Sequence, residues 1–371
     1  MKIGTDQYNT FDTMTMDCWN DRVYYEGKEF PAGQFAAEIL NFAGVIHDPL
    51  LERITVLTAL VDDLSTAEKS KRHDIAAQLK PLLHDTVSWL YTCPPFCYCE
   101  EQRAYEALEH ALSEERLDRD YEEEEAHLPY LALSFWEPIL RILVAIYNFC
   151  LLIRAFEKKY LRRAKRRNAD AFAKAAHECF DEDDSFLILL EQMPFGGVEE
   201  FFSYPRVITG FKYFQDENNE EKWKTAQRVI CKRAIDFYVF DLMNGLHHGH
   251  APSQCQGCGR YFLTTNGHTP KYCDGVAPQD NRYTCRQYGA MKHQKEQNKQ
   301  HPVYRLFNTR TDTIRKHHWR GKISDELRQE ALCLAGNYRD KALMNNDYAA
   351  DGYARDMELE HIYAEAEKRL K

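Results

Sequence analysis

Four cysteines in one short segment constrain this chain more than any other feature of its sequence. Cys255, Cys258, Cys273 and Cys285 follow the spacing C-x2-C-x14-C-x11-C. A C-x2-C pair on a tight turn directs two thiolates at one metal ion, and the glycines around Cys258 let backbone amides turn toward the sulfurs. Two more thiolates complete a tetrahedral site. The spacing therefore predicts one structural Zn²⁺ with no open coordination position.

The residues between the second and third cysteines predict how the ligands meet. Asn266-Gly267 separates two short runs of strand-forming residues, which indicates a hairpin with a two-residue turn. Pairing outward from that turn returns Cys273 to the neighbourhood of the first cysteine pair. His268, on the second strand, is the alternative ligand if the last cysteine lies too far away.

The last cysteine of the segment stands at a predicted helix start. Thr284 and Gln287 have the spacing of a capping box, which places Cys285 in the first helical turn. The helix dipole favours a thiolate at that position. A cysteine pair, a hairpin and a helix that carries a late ligand together predict a small treble-clef-like zinc finger.

Charge is distributed unevenly along the sequence. The whole chain has a net charge of −10, with 48 Lys+Arg and 58 Asp+Glu. Residues 252–322 contain 13 Lys+Arg and 4 Asp+Glu, so this segment carries +9 and the remainder −19. Because basic segments neutralise phosphates, we expect nucleic acid, DNA in the first place, to bind through residues 255–320. The predicted contacts are Arg260, Lys271, Arg282, Arg286, Lys292, Lys295 and Lys299.

The basic charge has a second interpretation. A zinc-stabilised scaffold module would use the same cations to pair with acidic protein surfaces rather than with phosphate. An enzyme is not expected, because we find no P-loop, G-x-S-x-G, H-E-x-x-H or deaminase pattern. The leading hypothesis is a zinc-finger regulator or DNA-associated factor, and the scaffold is its alternative.

The composition favours helices over an all-β fold. Glycine and proline together number 30 of 371 residues, or 8%, below the usual ~12%. We expect a mainly α-helical chain of three parts: an acidic, mostly helical body over 1–250 with a sub-boundary near 180–205, the finger over 251–300, and a helical tail over 301–371 that is basic in its first part. The tail helices are expected either to pack back on the body or to form a homodimer contact.

Apolar spacing locates several of the expected helices. Residues 1–130 are interpreted as helical segments, one of them beginning near Pro31. Residues 204–214 could form a short hairpin. The segment 220–244 is expected to be helical and to end at Gly245 as a C-cap, because apolar residues recur with helical spacing at Trp223, Ala226, Val229, Ile230, Ala234 and Phe237.

One apolar stretch is long enough to cross a membrane. Residues 131–153 are followed by a basic run at 158–167, as in a membrane anchor. Glu137, Arg141 and Asn148 lie within or beside this stretch and favour a buried helix instead. The first seven residues have no apolar core typical of a signal peptide. We therefore expect no membrane contact and a cytoplasmic location, where cysteines stay reduced.

Cysteines outside the four-residue pattern are interpreted as packing residues. Cys93, Cys97 and Cys99 invite a second metal site, but their spacing of three and then one residue is not that of a metal-binding turn. A packed aromatic loop is the favoured interpretation there. The isolated cysteines are expected in the core: Cys18, Cys150, Cys179, Cys231 and Cys333.

The finger segment resembles known bacterial proteins. Cys258-Gly259-Arg260-Tyr261-Phe262, Lys271-Tyr272-Cys273 and an arginine-flanked last cysteine resemble the CGNR-type zinc finger of bacterial regulators, in which a helical domain precedes a finger thought to bind DNA. The longer run through Cys285-Arg286-Gln287 to Gly321-Lys322-Ile323-Ser324 resembles more closely a bacterial family of unknown function. This resemblance covers about residues 235–345. Cys285-Arg286-Gln287 stands where the CGNR pattern has Cys-Gly-Asn-Arg.

Overall fold

The structure, a computed structural model, describes residues 13–44, 48–118, 136–164, 166–191, 206–216, 219–266 and 270–370. The chain divides into two compact units, Met1–Cys273 and Asp274–Lys371. Helices make up most of both units, which confirms the predicted fold class. The three-part division expected from the sequence stays a prediction.

The first unit contains an antiparallel sheet with the strand order β3-β2-β1-β5-β4. Its strands are β1 (Met14–Trp19), β2 (Arg22–Tyr25), β3 (Lys28–Pro31), β4 (Val207–Asp216) and β5 (Asn219–Cys231). A separate two-stranded sheet pairs β6 (Ala251–Gln254) with β7 (Tyr261–Thr264).

The helices of the first unit share one core with the larger sheet. They are α1 (Gln34–Ile39), α2 (Asp48–Thr66), α3 (Lys69–Leu90), α4 (Gln102–Ala111), α5 (Glu114–Leu117), α6 (Glu137–Lys159), α7 (Ala169–Phe180), α8 (Asp184–Glu191) and α9 (Ala234–His247). Short 3₁₀ turns cover Leu40–Gly44, Phe96–Tyr98 and Leu161–Arg163.

The interpretation of the N-terminal segment as helical was wrong for its first described residues. Residues 14–31 form three strands joined by two-residue turns, since Trp19 pairs with Arg22 and Tyr25 with Lys28. The second turn has positive φ at Glu26 and at Gly27 (46° and 73°), the geometry that type I′ hairpins require. The helix expected near Pro31 does exist, but it begins at Gln34.

The expected helix over 220–244 was wrong in its first half. Residues 219–231 form β5, and the helix begins only at Ala234. Near the end of the strand, Val229 and Cys231 are buried, while Ile230 between them is only half-buried. This alternation is the period of two that a half-buried strand requires. The apolar residues at 226, 229 and 230 recur three and four positions apart, which is helical spacing, so spacing alone misassigned a segment that pairs with β1 and β4.

Gly245 lies inside α9 and serves close packing rather than as a C-cap. A Cβ atom on Gly245 would come within 2.8 Å of the Gly33 Cα atom, so the two backbones touch where α9 crosses the start of α1. Asp241, one turn earlier and fully buried, accepts hydrogen bonds from the Gly33 and Ala36 amides, both at 2.9 Å. These amides are free donors of a helix N-terminus, so α9 caps α1.

Helix α6 is the apolar stretch that length alone would allow to cross a membrane. Most of its apolar window is buried inside the unit, where Phe149, Ile153 and Phe156 are at most 1% exposed. This burial agrees with the buried helix that Glu137, Arg141 and Asn148 led us to expect for this stretch.

The second unit has its own core, made by its helices after residue 301. Its elements are β8 (Val276–Ala277), β9 (Asp280–Thr284), α10 (Cys285–Gln300), α11 (Pro302–Trp319), α12 (Asp325–Met344), a π-helical turn (Tyr348–Gly352), α13 (Tyr353–Asp356) and α14 (Leu359–Leu370). Ser324 caps α12 by accepting the Leu327 amide hydrogen bond at 3.2 Å.

Candidate metal centre

The first cysteine pair lies in the turn of a hairpin. Strands β6 and β7 pair in antiparallel register from Ala251–Thr264 to Gln254–Tyr261, and Cys255 to Arg260 connect them. The hairpin expected around Asn266-Gly267 differs from this, because β7 pairs backward with β6 and residues 270–273 form no strand. Residues 267–269, including the alternative ligand His268, lie outside the described residues.

Backbone amides surround the first ligand. The Gly257 and Cys273 amides each donate a hydrogen bond to the Cys255 Sγ atom, at 3.3 Å. The turn closes with a bond of 2.9 Å from the Gly259 amide to the Cys255 carbonyl, and Gly259 has a φ of 75° that favours glycine. Amide donors aimed at a sulfur stabilise its thiolate form.

The backbone amides around Cys255 also change the pKa of its thiol. Burial raises the pKa of its thiol, but hydrogen bonds from the backbone amides of Cys258, Cys273 and Gly257 outweigh burial and lower the pKa to about 7. A thiol ordinarily titrates near 8.5. Because metals bind the thiolate, this shift prepares Cys255 for ligation at neutral pH.

The third cysteine returns to the first pair through the backbone. The Gln256 amide donates to the Lys271 carbonyl at 2.8 Å, which holds the chain before Cys273 against the turn. The Cys258 and Cys273 Sγ atoms are then 3.6 Å apart. This separation is far beyond the ~2.05 Å of a disulfide bond.

The fourth cysteine begins α10, as the sequence predicts. The Gln287 amide donates to the Thr284 hydroxyl, and the Gln287 side chain accepts from the Thr284 amide, which is a complete capping box. The Cys285 amide donates to the Gly275 carbonyl at 2.8 Å, and its buried Sγ lies 3.7 Å from the Val276 carbonyl oxygen. The helix start and the contacts with the Gly275 and Val276 carbonyls thus fix the direction of the thiol.

All four sulfurs of this cluster lie within 4.8 Å of one another, as the spacing predicts. A tetrahedral site with metal–sulfur bonds of ~2.3 Å places its sulfurs ~3.8 Å apart, so the cluster has the size needed to hold one metal ion. Three of its cysteines are buried and Cys258 is half-buried. Within the described residues, no other group of three or more His, Cys, Asp or Glu donors converges in this way.

The β6–β7 hairpin, which carries the first cysteine pair, is fastened to the core of the first unit by residues that the sequence analysis missed. The Asn41 side chain donates to the Tyr261 carbonyl at 2.9 Å and accepts from the Tyr261 amide at 2.6 Å. Buried Arg167 donates to the Thr264 hydroxyl at 3.1 Å, and buried His250 donates from Nδ1 to the Ala32 carbonyl. These contacts join residues up to 220 positions apart, so no local pattern marks them.

The predicted nucleic-acid contacts near the cysteines are all on the surface. Arg260 and Lys271 are exposed. Arg282 pairs with Asp280 at 2.8 Å, and Arg286 pairs with Asp274 at 3.0 Å. Exposed pairs of this kind contribute little to stability, so the two arginines stay available for exchange to another anion.

The predicted lysine contacts lie along α10. Lys292 and Lys295 are exposed, and the side chain of Lys299 lies outside the described residues. Positions three apart share one helix face, so Lys292 and Lys295 belong to the same side of α10.

The other cysteines divide into buried and exposed ones. Cys93 is buried, Cys97 is exposed, and the Cys99 Sγ lies 3.2 Å from the Tyr25 hydroxyl. Their loop packs against aromatic rings, as Tyr98 lies 4.8 Å from Phe30 between ring centroids. Of the isolated cysteines expected in the core, Cys18, Cys150, Cys179 and Cys231 are buried. Cys333 is exposed on α12, so the expectation was wrong for this residue.

Comparison with known proteins adds one match. Residues 203–369 match the model of a family described as "Family of unknown function (DUF6076)". The matched part is somewhat less than half of the chain and contains the entire four-cysteine cluster. No curated protein and no solved structure matches the chain.

Proposed function

We propose that the four-cysteine cluster holds one structural Zn²⁺ and that this treble-clef-like zinc module binds nucleic acid, with DNA as the first ligand to test. Four converging thiolates, three of them from buried cysteines, favour a closed structural site. Tetrahedral sulfur sites hold zinc or iron. One zinc and no iron per chain in elemental analysis is the expected result, and one iron would contradict the assignment.

The observation that carries the nucleic-acid proposal is the surface of α10. Every side chain from Ala290 to Gln297 is exposed, so this helix gains little from packing over two turns. A helix that is polar on every side is not stabilised by burial of an apolar face, so its exposed surface calls for another explanation. Residues 285–320, which form α10 and α11, contain nine Lys+Arg and two Asp+Glu, a net charge of +7. Contact with phosphates is a function that fits an exposed, positively charged helix.

The experiment is fluorescence anisotropy of the full-length, zinc-loaded chain with duplex DNA, single-stranded DNA and RNA over a range of salt concentrations. Neutralising about five to six phosphates predicts a log–log salt slope of about −4 to −6. The double variant Lys292→Glu/Lys295→Glu should weaken binding to every ligand and make the slope shallower by about 2.

A matched control keeps the change in net charge the same. Lys71 and Lys174 are exposed lysines of the acidic first unit, so Lys71→Glu/Lys174→Glu should leave affinity and slope close to those of the unchanged chain. Equal weakening by both double variants would mean that only total charge matters. Absence of binding to all three ligands at low salt would reject the nucleic-acid proposal.

A protein-interaction role is the second candidate, and one observation favours it. Large apolar side chains on the β4–β5 hairpin of the first unit are exposed, with Phe211 at 73%, Tyr213 at 67% and Trp223 at 66%. Exposed apolar clusters mark interaction surfaces more often than isolated residues do. Loss of binding to a protein partner on Phe211→Ser, with nucleic-acid binding absent throughout, would favour this scaffold function.

A further inference from the structure

Trp319 occupies a position in α11 where the helix pattern calls for a polar residue. The helix is amphipathic, and Val303, Thr311 and Ile314 form its buried side. Its exposed positions recur three and four residues apart and end at Trp319, which is 85% exposed. The solvent-facing residues are Arg305, Asn308, Thr309, Asp312, Arg315, Lys316, Trp319 and Arg320.

An indole on the solvent face is unusual for a folded chain. Tryptophan is highly buried on average, because its large apolar surface is most stable away from water. Trp136 of the first unit follows this rule at 5% exposure. The core of the second unit is formed without Trp319, since neither its buried members nor the residues packed on them include it. Folding of the unit therefore gives no reason for tryptophan at this position.

The surroundings of Trp319 are positively charged. Arg315 and Lys316 lie one turn earlier on the same face, and Arg320 and Lys322 follow in sequence. Arg315 pairs with Asp312 at 3.1 Å. Over the described ranges, no carboxylate lies within 4.0 Å of the charged groups of Lys316, Arg320 or Lys322.

The cations alone have a simple explanation, but the tryptophan does not. Lysine and arginine in the last helical turn offset the negative end of the helix dipole. An exposed aromatic ring among such cations is the arrangement that proteins use for single-stranded nucleic acids, where bases stack on the ring and cations contact the phosphates. A duplex keeps its base faces stacked on one another and offers none to a side chain.

We propose that Trp319 is a stacking platform for an unpaired base, with Lys316, Arg320 and Lys322 contacting the flanking phosphates. This inference rests on the proposed nucleic-acid binding and specifies its substrate class as strands with unpaired bases. Its two sources, single-stranded DNA and single-stranded RNA, share this chemistry and are separate arms of the test.

The test measures binding of the full-length, zinc-loaded chain to a 20-mer of oligothymidylate, a 20-mer of oligouridylate and a blunt duplex. Trp319→Ala should weaken binding to at least one single strand about 5- to 100-fold. Duplex affinity should change by less than about 2-fold, and the salt slope should stay the same because no charge is removed. Trp319→Phe, which keeps a ring, should retain most of the affinity.

Trp223 provides the matched control, since it is 66% exposed but belongs to the acidic first unit. Trp223→Ala should leave all three affinities unchanged. Single-strand affinities that are unchanged in Trp319→Ala would overturn the platform while salt-dependent binding still supported the proposed function. Equal losses on duplex and single strands would also overturn it. Absence of binding to any ligand would reject both proposals together.

Discussion

Two segments of this chain are rich in cysteine, and they use it in opposite ways. In the aromatic loop, residues 93–99, the three thiols point to different surroundings, one buried, one exposed and one beside the Tyr25 hydroxyl. In the four-cysteine segment, residues 255–285, four sulfurs lie within 4.8 Å of one another. Cysteine density is therefore a poor guide to metal binding, and the difference must come from the backbone between the cysteines.

The pKa values of the thiols also differ between the two segments. Burial raises the pKa of Cys93 to about 12, whereas backbone amides outweigh burial at Cys255 and lower its pKa to about 7. Cys93 makes its contact with a carbonyl oxygen, that of Trp89 at 3.5 Å. A sulfur beside a carbonyl keeps its proton, and a sulfur beside amide N–H groups loses it. The backbone dipoles around Cys93 therefore favour its thiol form, and those around Cys255 favour its thiolate form.

The largest effect is expected from replacing one cysteine of the four-cysteine segment, since each is a proposed zinc ligand. Structural zinc contributes about 10–16 kcal/mol to the folding of small zinc modules. Cys273→Ser should therefore abolish metal binding and remove hydrogen-exchange protection from the amides of β6 and β7. The amides of α6 should keep their protection. Cys97→Ser, in the aromatic loop, should leave the metal content at one per chain, and full occupancy in Cys273→Ser would refute the site.

Alkylation tests the difference between the two cysteine-rich segments without mutation, through the reactivity of their thiols. In the metal-bound chain, iodoacetamide should modify exposed Cys97 and Cys333 first, while the four cluster cysteines stay unmodified. Chelation should make those four reactive and leave buried Cys93 protected, because its raised pKa and burial both suppress the thiolate. Peptide mass spectrometry before and after chelation gives the result. Identical patterns in the two samples would show that no metal protects the cluster.

A smaller effect is expected from a substitution at the contact between the β6–β7 hairpin and the core of the first unit. Asn41→Ala removes two hydrogen bonds to the Tyr261 backbone and leaves buried groups unpaired, at a cost of about 1–3 kcal/mol. Hydrogen exchange in β7 should speed up accordingly. Asn337 is an exposed asparagine of α12, so Asn337→Ala is the control and should change nothing. Equal exchange rates in both variants would mean that the hairpin does not depend on Asn41.

The smallest effect concerns the helix cap that positions Cys285. Thr284→Ala breaks the capping box, and loss of such a cap costs about 0.5–2 kcal/mol. Zinc affinity, measured by chelator competition, should fall by up to about 10-fold because the first turn carries a ligand. Ser324→Ala removes the cap of α12 and should lower stability by a similar amount without changing zinc affinity. A loss of zinc affinity in Ser324→Ala would show that the effect is not local.

Most of the metal centre could be predicted from the sequence because its determinants are local. The C-x2-C turn, the capping box at Thr284 and the presence of Cys285 in the first turn all depend on residues within a few positions of one another. The hairpin was misassigned because Asn266-Gly267 is a strong local turn signal. The partner of β7 proved to be β6, which precedes the cysteine turn.

The sequence by itself determined the mainly helical class, the four converging cysteines and the helix that presents the last one, since short-range spacing and capping chemistry specify each of them. Only the tertiary structure decided that residues 14–31 and 219–231 form one sheet, because the apolar spacing at 226, 229 and 230 indicates a helix, and the strand depends on the pairing of Met16 with Val229 across the chain. It likewise decided that Asn41 holds Tyr261. Contacts between distant residues depend on the whole packed core, and no local pattern carries that information.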